Sequence, residues 1–346
     1  MNKITLTILD FAVLFFVKMN IATLLPTSSA LTTAAADVSM ASTYDRLAQR
    51  AIELYRIGGT GLDGRVWIGI AGGPGAGKST LATAVAHRIN SEVLQNQIQQ
   101  QRGSATKAVA IPMDGYHYTR SKLAELAESD DESNGMSRRG SPWTFDAEGL
   151  IHDLSQAKAK GTAILPEYDR ALSDPVPNVV KIDLSHGIII VEGNYLLLDL
   201  LEAEIDNDNS SDGGQHRATQ QPLPDSNLCV ANKDLLCPVP ISEEIQRWKG
   251  TADLWDETWF VSPPAFIGGE NEHENNAAAE RQTTVEIQTK RVIERSLRTW
   301  TDAKTKAWGG KTDLEAATKR AEYNDVRNAK LINCCRSYAD LVVDSI

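Results

Sequence analysis

Residues Gly69–Thr80 read GIAGGPGAGKST, and this stretch decides the fold. It contains the pattern G-x-x-x-x-G-K-S, which begins at Gly72 and ends at Ser79. The nearly continuous apolar run Arg65–Ala71 precedes it, as is typical of a strand covered on both faces. Apolar residues then recur every fourth position over Leu81–Ile89, which predicts one stripe of a helix. A glycine-rich turn between a buried strand and an amphipathic helix is the context that this pattern requires.

The chemistry of this loop explains its spacing. Small residues let successive backbone N–H groups wrap around a phosphate, while the lysine adds a positive charge and the serine hydroxyl serves Mg²⁺. The start of the following helix adds a partial positive charge. The sequence therefore predicts a nucleotide site with Mg²⁺, in which Ser79 is a metal ligand. The predicted nucleotide contacts are Gly72, Gly73, Pro74, Gly75, Ala76, Gly77, Lys78, Ser79 and Thr80.

Composition excludes some classes of protein. The 346 residues are 42% hydrophobic and 23% charged, which is ordinary for a globular chain. The formal net charge of −11 argues against a general nucleic-acid-binding protein, because such proteins need basic surface to neutralise phosphates. We expect no nucleic-acid partner, although a small anionic substrate in a local basic pocket stays compatible with this charge. The four cysteines show no C-x-x-C spacing and fit a reducing compartment.

Strands and helices are predicted to alternate, which favours a parallel α/β sheet in one domain. The predicted strands are 65–71, 108–111, 186–191, 258–261 and 339–343. The predicted helices are 44–55, from 78 onward, 121–128, 147–160, 285–307 and 314–323. Two stretches without periodicity, at about 202–240 and 268–284, are predicted to be polar inserts.

Two predicted strands end in carboxylates. The second strand runs into Asp114, within the stretch IPMDGYHYTR, and the strand at 186–191 is followed by Glu192. Parallel α/β sheets bind ligands at the carboxyl ends of their strands, so both side chains are expected beside the phosphate loop. A carboxylate there can orient and deprotonate an alcohol. The alternative is a turn in which Asp114 bonds to its own backbone.

Four segments have distinctive sequences: MDGYHYTR at 113–120, RRGSPWTFDAEGL at 138–150, PEYDRALSDPVP at 166–177 and VEGNYLLLD at 191–199. Together with NDVRNAKLI near the end of the chain, they resemble the uridine kinase, phosphoribulokinase and pantothenate kinase family, most closely its fungal and bacterial uridine-kinase-like branch. The resemblance spans roughly residues 65–343, broken by the two inserts. It implies a P-loop NTPase fold with a parallel five-stranded core sheet of order 2-3-1-4-5 flanked by helices.

The resemblance also implies roles for individual residues. Asp114 matches the general base, Glu192 the acid that holds Mg²⁺ through water, and Lys78 the catalytic lysine. Arg291 and Arg295 match arginines of a lid that closes on the phosphates. Asn324 and Asn328 match the loop on the adenine side of ATP. The residues matched to substrate binding are Tyr116, His117, Arg139, Trp143, Phe145, Tyr168 and Asp169.

Plainer interpretations remain open for several of these side chains. Arg139 can be a solvated charge, and Asp169 can stabilise a turn. Asn324 and Asn328 can be helix caps. The two lid arginines can lie on an exposed helix, ion-paired with the neighbouring Glu294.

The function implied is an ATP- and Mg²⁺-dependent kinase that phosphorylates a hydroxyl of a small metabolite. A nucleoside, a sugar or a pantothenate-like acid are all compatible acceptors. The chain lacks the guanine-reading N-K-x-D of GTPases, since Asn232–Leu235 reads NKDL. A regulatory or assembly P-loop ATPase without metabolite kinase activity is the rival. The sequence leaves the oligomeric state open.

Residues 1–39 differ from the rest of the chain. Ile8–Val17 is apolar but, at ten residues, too short to span a bilayer as a helix. We expect 1–39 to be a signal-like or untranslated extension outside the core, and 40–346 to be the kinase domain, with a working protein that starts near Met40. A cytoplasmic location without stable membrane association is expected. Organellar or secretory targeting by residues 1–39, or an interfacial anchor, is the alternative.

Overall fold

The computed structural model describes residues 28–91, 94, 96, 106–129, 137–201, 241–263 and 276–345. Side chains are described from residue 40 in the first helix and from residue 284 in the helix that begins at Asn276. Residues Tyr44–Ser345 form one compact unit. The predicted insert at 202–240 lies outside the described residues. In the described part of the chain, no helix is both long and apolar enough to cross a membrane.

Strands and helices alternate along most of the described chain. The strands are β1 (Val66–Ala71), β2 (Lys107–Pro112), β3 (Ala163–Asp169), β4 (Asp174–Ile182), β5 (His186–Gly193), β6 (Glu257–Ser262) and β7 (Leu341–Asp344). The helices are α1 (Ser28–Ile57), α2 (Lys78–Ile89), α3 (Arg120–Ser129), α4 (Ala147–Lys160), α5 (Ile241–Gln246), α6 (Asn276–Leu297), α7 (Asp302–Ala307), α8 (Asp313–Arg320) and α9 (Val326–Asn333).

Five of these strands form a wholly parallel sheet in the order β2-β5-β1-β6-β7. Numbered among themselves along the chain, the five strands have the order 2-3-1-4-5, so the expected topology is confirmed. The three central strands are buried along almost their whole length, because helices cover both faces of a parallel sheet.

The register of the sheet brings the strand ends together. Glu192 pairs with Ile70 of β1 on one side and with Pro112 of β2 on the other. The phosphate loop follows β1 directly, and the turn that carries Asp114 follows β2. All three features therefore lie at the carboxyl edge of the sheet, as the ligand rule for parallel sheets requires.

Two strands were not predicted. Strands β3 and β4 form a separate antiparallel hairpin that contains most of the segment 166–177. Prolines at 166, 175 and 177 argue against strands in a sheet centre, because proline cannot donate a ladder hydrogen bond. In a two-stranded ribbon each strand has one free edge, so proline is tolerated there.

Helix boundaries in the last third also differ from the prediction. Helix α6 begins at Asn276, within the stretch 268–284 that was predicted to be an insert, and it ends at Leu297 rather than Ala307. Thr301 caps a separate helix α7, because its side chain accepts a hydrogen bond from the Lys304 backbone N–H. Helices α8 and α9 are joined by a π-helical turn, Ala321–Asp325.

Candidate active site

The phosphate loop has the backbone that its glycines predict. Gly75 and Gly77 adopt φ values of 77° and 97°, which side-chain-bearing residues rarely adopt. Helix α2 begins at Lys78, so the N–H groups of its first turn have no partner within the helix and face the loop. This arrangement can bind the phosphates of a nucleotide.

Lys78 is buried inside this loop. Its Nζ donates to Asn194 Oδ1 at 2.8 Å and to the Gly73 carbonyl at 3.2 Å. The residue is 8% exposed, and burial lowers the pKa of its ammonium group. Asn194 was not predicted as a site residue, although it stands in the segment VEGNYLLLD. The hydrogen bond between Lys78 and Asn194 holds the ammonium group at the phosphate loop.

Ser79 and Glu192 are already in contact. The Ser79 hydroxyl donates to Glu192 Oε1 at 2.7 Å. Glu192 is buried, and burial raises the pKa of its carboxyl group, while nearby Lys78 opposes that rise. Both groups offer oxygen atoms, which Mg²⁺ prefers, and Mg²⁺ usually takes only one or two carboxylates together with phosphate oxygens and water. These residues therefore fit a Mg²⁺ ion that arrives with a nucleotide.

Asp114 lies in the short 3₁₀ turn Met113–Tyr116 that follows β2. Its side chain is 36% exposed, and its Oδ2 lies 3.7 Å from Arg170 Nη2. The turn is held against the β3–β4 hairpin, because a Cβ atom on Gly115 would come within 2.2 Å of the Pro166 carbonyl oxygen. The sequence identified this carboxylate, and the fold leaves it open to a ligand.

Aromatic rings form a wall next to Asp114. The His117 ring lies 3.9 Å from the Phe145 ring and 4.9 Å from the Tyr168 ring, measured between centroids. Burial lowers the pKa of His117, so its imidazole is neutral at neutral pH. Phe145 is fully buried and packs from behind, against Tyr195 and Trp248. It therefore supports the wall rather than facing an acceptor.

Two other predicted substrate contacts are engaged elsewhere. The Tyr116 hydroxyl donates to Asp153 Oδ2 at 3.0 Å, and the Tyr116 ring belongs to the core. Asp169 Oδ1 accepts from two backbone N–H groups of the hairpin turn, those of Ala171 and Leu172. The contacts of Asp169 favour the turn interpretation over a direct role with an acceptor.

Arg139 is well partnered. Its Nη2 donates to Asp174 Oδ1 at 2.8 Å and to the Tyr118 carbonyl at 2.9 Å. Its guanidinium also lies over the Tyr168 ring, with 5.4 Å between Cζ and the centroid. Trp143 is nearly buried and stacks on Arg138 at 5.2 Å. Both of these predicted substrate contacts are therefore engaged by other protein groups.

The lid arginines come from α6. Arg291 and Arg295 are one helical turn apart, and Arg291 Nη1 donates to Ser345 Oγ at 3.0 Å. The helix lies directly on the phosphate loop, because a Cβ atom on Gly75 would come within 2.7 Å of the Gln288 carbonyl oxygen and 3.1 Å of Val292. The structure thus brings this helix to the nucleotide site.

Comparison with known proteins agrees with this geometry. No protein-family model matches the chain. A Schizosaccharomyces pombe protein named "putative uridine kinase" is 38% identical over 170 residues, which cover 47% of this chain and 63% of that protein. An Aspergillus versicolor "ATP-dependent kinase-like protein" is 39% identical over 92 residues, 25% of this chain and 52% of that protein. The chain thus matches less than two thirds of the length of either relative.

Solved structures show the same fold. A Silicibacter crystal structure titled "putative fructose transport system kinase" superposes with a TM-score of 0.54 and 23% identity, and covers 87% of this chain and 98% of that chain. The chain is thus similar in sequence to proteins named as kinases, and it shares its fold with a solved structure titled as a kinase.

The two residues predicted to lie on the adenine side of ATP make buried contacts within the protein. Asn324 and Asn328 are buried, at 2% exposure each. Their Oδ1 atoms accept from the Arg138 guanidinium at 2.8 Å and 3.3 Å. Their Nδ2 atoms donate to the carbonyls of Arg139 and Gly140 at 2.7 Å and 3.0 Å. These contacts tie the last helices to the 138–140 segment, and the adenine role stays a prediction.

We expect Asn328→Ala to lower the free energy of unfolding by about 1–3 kcal/mol, because it leaves buried partners unsatisfied. Burial already lowers the pKa of Arg138 to about 10, so the charged form of its guanidinium needs the hydrogen bonds that it donates to Asn324 and Asn328. Urea unfolding checks the loss, with exposed Lys330→Ala on the same helix as the control. The Kd for ATP separates the two roles: it stays unchanged if Asn328 only ties the segment, and rises if Asn328 contacts adenine.

Proposed function

We propose that this protein is an ATP-dependent kinase that transfers the γ-phosphoryl group to a hydroxyl of a small metabolite. The observation that carries this proposal is the position of Asp114. Its partly exposed carboxylate lies at the sheet edge that also carries the phosphate loop, beside the wall of His117 and Tyr168. A nucleotide-binding protein that only hydrolyses ATP would need the loop but no such pocket.

Each group of site residues has its own role in the proposed phosphoryl transfer. The loop backbone and Lys78 bind the β- and γ-phosphates of ATP and stabilise charge that develops during transfer. Bound Mg²⁺ would neutralise phosphate charge, and Ser79 and Glu192 would hold it. Asp114 orients the acceptor hydroxyl and takes its proton as the oxygen–phosphorus bond forms and the bond to the β-phosphate oxygen breaks. Arg291 and Arg295 cover the phosphates and exclude water.

The acceptor classes that fit are nucleosides, sugars and pantothenate-like acids. The relatives include proteins named as uridine kinase and pantothenate kinase, and those names apply to the relatives alone. The rival function is a regulatory or assembly ATPase. It would hydrolyse ATP at a rate that no small metabolite changes.

A screen of nucleosides, sugars and vitamins with Mg·ATP tests the proposal. We expect ADP formation to rise with at least one acceptor, and mass spectrometry to show that acceptor with an added phosphoryl group. Hydrolysis of ATP that no acceptor increases, with no phosphorylated product, would support the rival instead.

A further inference from the structure

A cation faces the candidate base from the acceptor side. Arg170 lies in the turn that joins β3 to β4, and its Nη2 is 3.7 Å from Asp114 Oδ2. The distance is too long for a direct hydrogen bond, and the Arg170 side chain is 68% exposed. An exposed ion pair of this kind contributes little to the stability of the fold. Within the described residues, the Arg170 guanidinium donates no hydrogen bond, so its donors remain free to bind a ligand.

The neighbouring cation differs in this respect. Arg139 is neutralised by Asp174, which also pairs with Arg120, and its side chain is only 13% exposed. It stacks on Tyr168 and cannot leave these partners without cost. Of Arg139 and Arg170, only Arg170 is both exposed and weakly paired.

Charged groups of both signs surround Asp114. Arg170 approaches Asp114 from the hairpin, and Arg295 approaches it from α6. Burial lowers the pKa of Arg295, and repulsion from Arg170 lowers that pKa further. His117 is neutral because it is buried. Lys78 lies near Glu192 and is held by the phosphate loop. Two further carboxylates act on these arginines: Asp325 favours the charged form of Arg295, and Glu192 interacts with Arg170. Among the described residues, the one ion pair of Arg170 is its 3.7 Å contact with Asp114.

We propose that Arg170 binds an anionic group of the acceptor, so that the acceptor is a hydroxy acid or a sugar phosphate rather than a neutral nucleoside. This inference rests on the proposed function. The carboxylate or phosphate takes no part in the transfer itself. It docks on the guanidinium fork of Arg170 while a hydroxyl a few bonds away lies at Asp114. The short separation between Arg170 and Asp114 suits an acceptor whose hydroxyl and anion are close together.

Matched acceptor pairs test the inference. Glycerol against glycerate adds a carboxylate, and ribose against ribose 5-phosphate adds a phosphate. We expect the charged member of at least one pair to have a kcat/KM at least about tenfold higher, and the pair that responds identifies the anion. Arg170→Met should lower kcat/KM for that member by about 10- to 100-fold, through KM, and leave the KM for ATP unchanged. Arg120→Met, a nearby exposed arginine, is the matched control.

Binding measured with a non-hydrolysable ATP analogue separates the possible failures. Equal transfer to the charged and the neutral member of every pair would overturn the inference and leave the kinase standing. The same conclusion would follow if Arg170→Met raised the KM for ATP, and did so equally with both members of a pair. Binding of charged members that Arg170→Met abolishes, without any transfer, would support the anion site and count against the kinase. Neither binding nor transfer in any pair would count against the inference, while the wider acceptor screen judges the kinase.

Discussion

Replacing Lys78 by methionine is expected to lower ATP turnover by at least about 100-fold while the protein stays folded. The ammonium group is the positive charge at the centre of the phosphate loop, where it can follow the charge that develops on the transferring phosphoryl group. Methionine fills a similar volume without charge. It leaves the Gly73 carbonyl and Asn194 Oδ1 without their donor, so the free energy of unfolding should fall by about 1–3 kcal/mol.

Turnover is measured as ADP formation with saturating Mg·ATP, and stability by urea unfolding. The control is Lys107→Met, which removes an exposed lysine from the opposite end of the sheet, at the start of β2. Near-normal turnover in Lys78→Met would show that the loop does not serve phosphoryl chemistry. A collapse of stability would show instead that the contact between Lys78 and Asn194 is mainly structural.

The sequence was sufficient to predict the sheet and to place two carboxylates at its carboxyl edge. The phosphate loop requires a strand before it and a helix after it, and parallel strands place their carboxyl ends together. Asp114 and Glu192 were therefore located by their positions at strand ends. No knowledge of distant contacts was needed.

The directions of several side chains could not be predicted in this way. A motif shows which segment lies near a site, whereas packing decides which of its side chains face a ligand. Tyr116 and Phe145 belong to the correct segments, but their rings fill the core because a large apolar side chain gains most by burial. Asn324 and Asn328 bind Arg138, a contact across almost two hundred residues of sequence that local patterns do not contain.

The β3–β4 hairpin and the break between α6 and α7 were not predicted, and the reasons are local. Proline argues against strands only where a ladder bond is needed, and periodicity cannot show that a ribbon has free edges. Residues 298–301 do not interrupt the polar pattern strongly, so the end of α6 depends on the cap at Thr301. The open setting of Arg170 also became visible only once the hairpin had placed it opposite Asp114.

Asp114→Asn is expected to lower phosphoryl transfer by about 10²- to 10⁴-fold, because asparagine cannot accept the proton of the acceptor hydroxyl. Binding of Mg·ATP should persist, since Lys78, Ser79 and the loop backbone are unchanged. Stability should change by less than about 1 kcal/mol, because the only ion pair lost among described residues is the exposed 3.7 Å contact with Arg170. Transfer is followed with the acceptor found in the screen, and the Kd for ATP by calorimetry.

Asp63→Asn is a suitable control, because Asp63 is exposed, precedes β1 at the far edge of the sheet, and has a φ of 56° that asparagine tolerates. The kinase and its rival differ most clearly here. If Asp114 takes the proton of the acceptor, Asp114→Asn should lower the rate of phosphoryl transfer and leave any slow hydrolysis of ATP unchanged. If Asp114 is only a turn carboxylate in a regulatory ATPase, the substitution should change neither rate. Asp114→Asn with intact transfer to the identified acceptor would overturn the assignment of the base, and would leave the phosphate loop as the one part of the site with a defined chemical role.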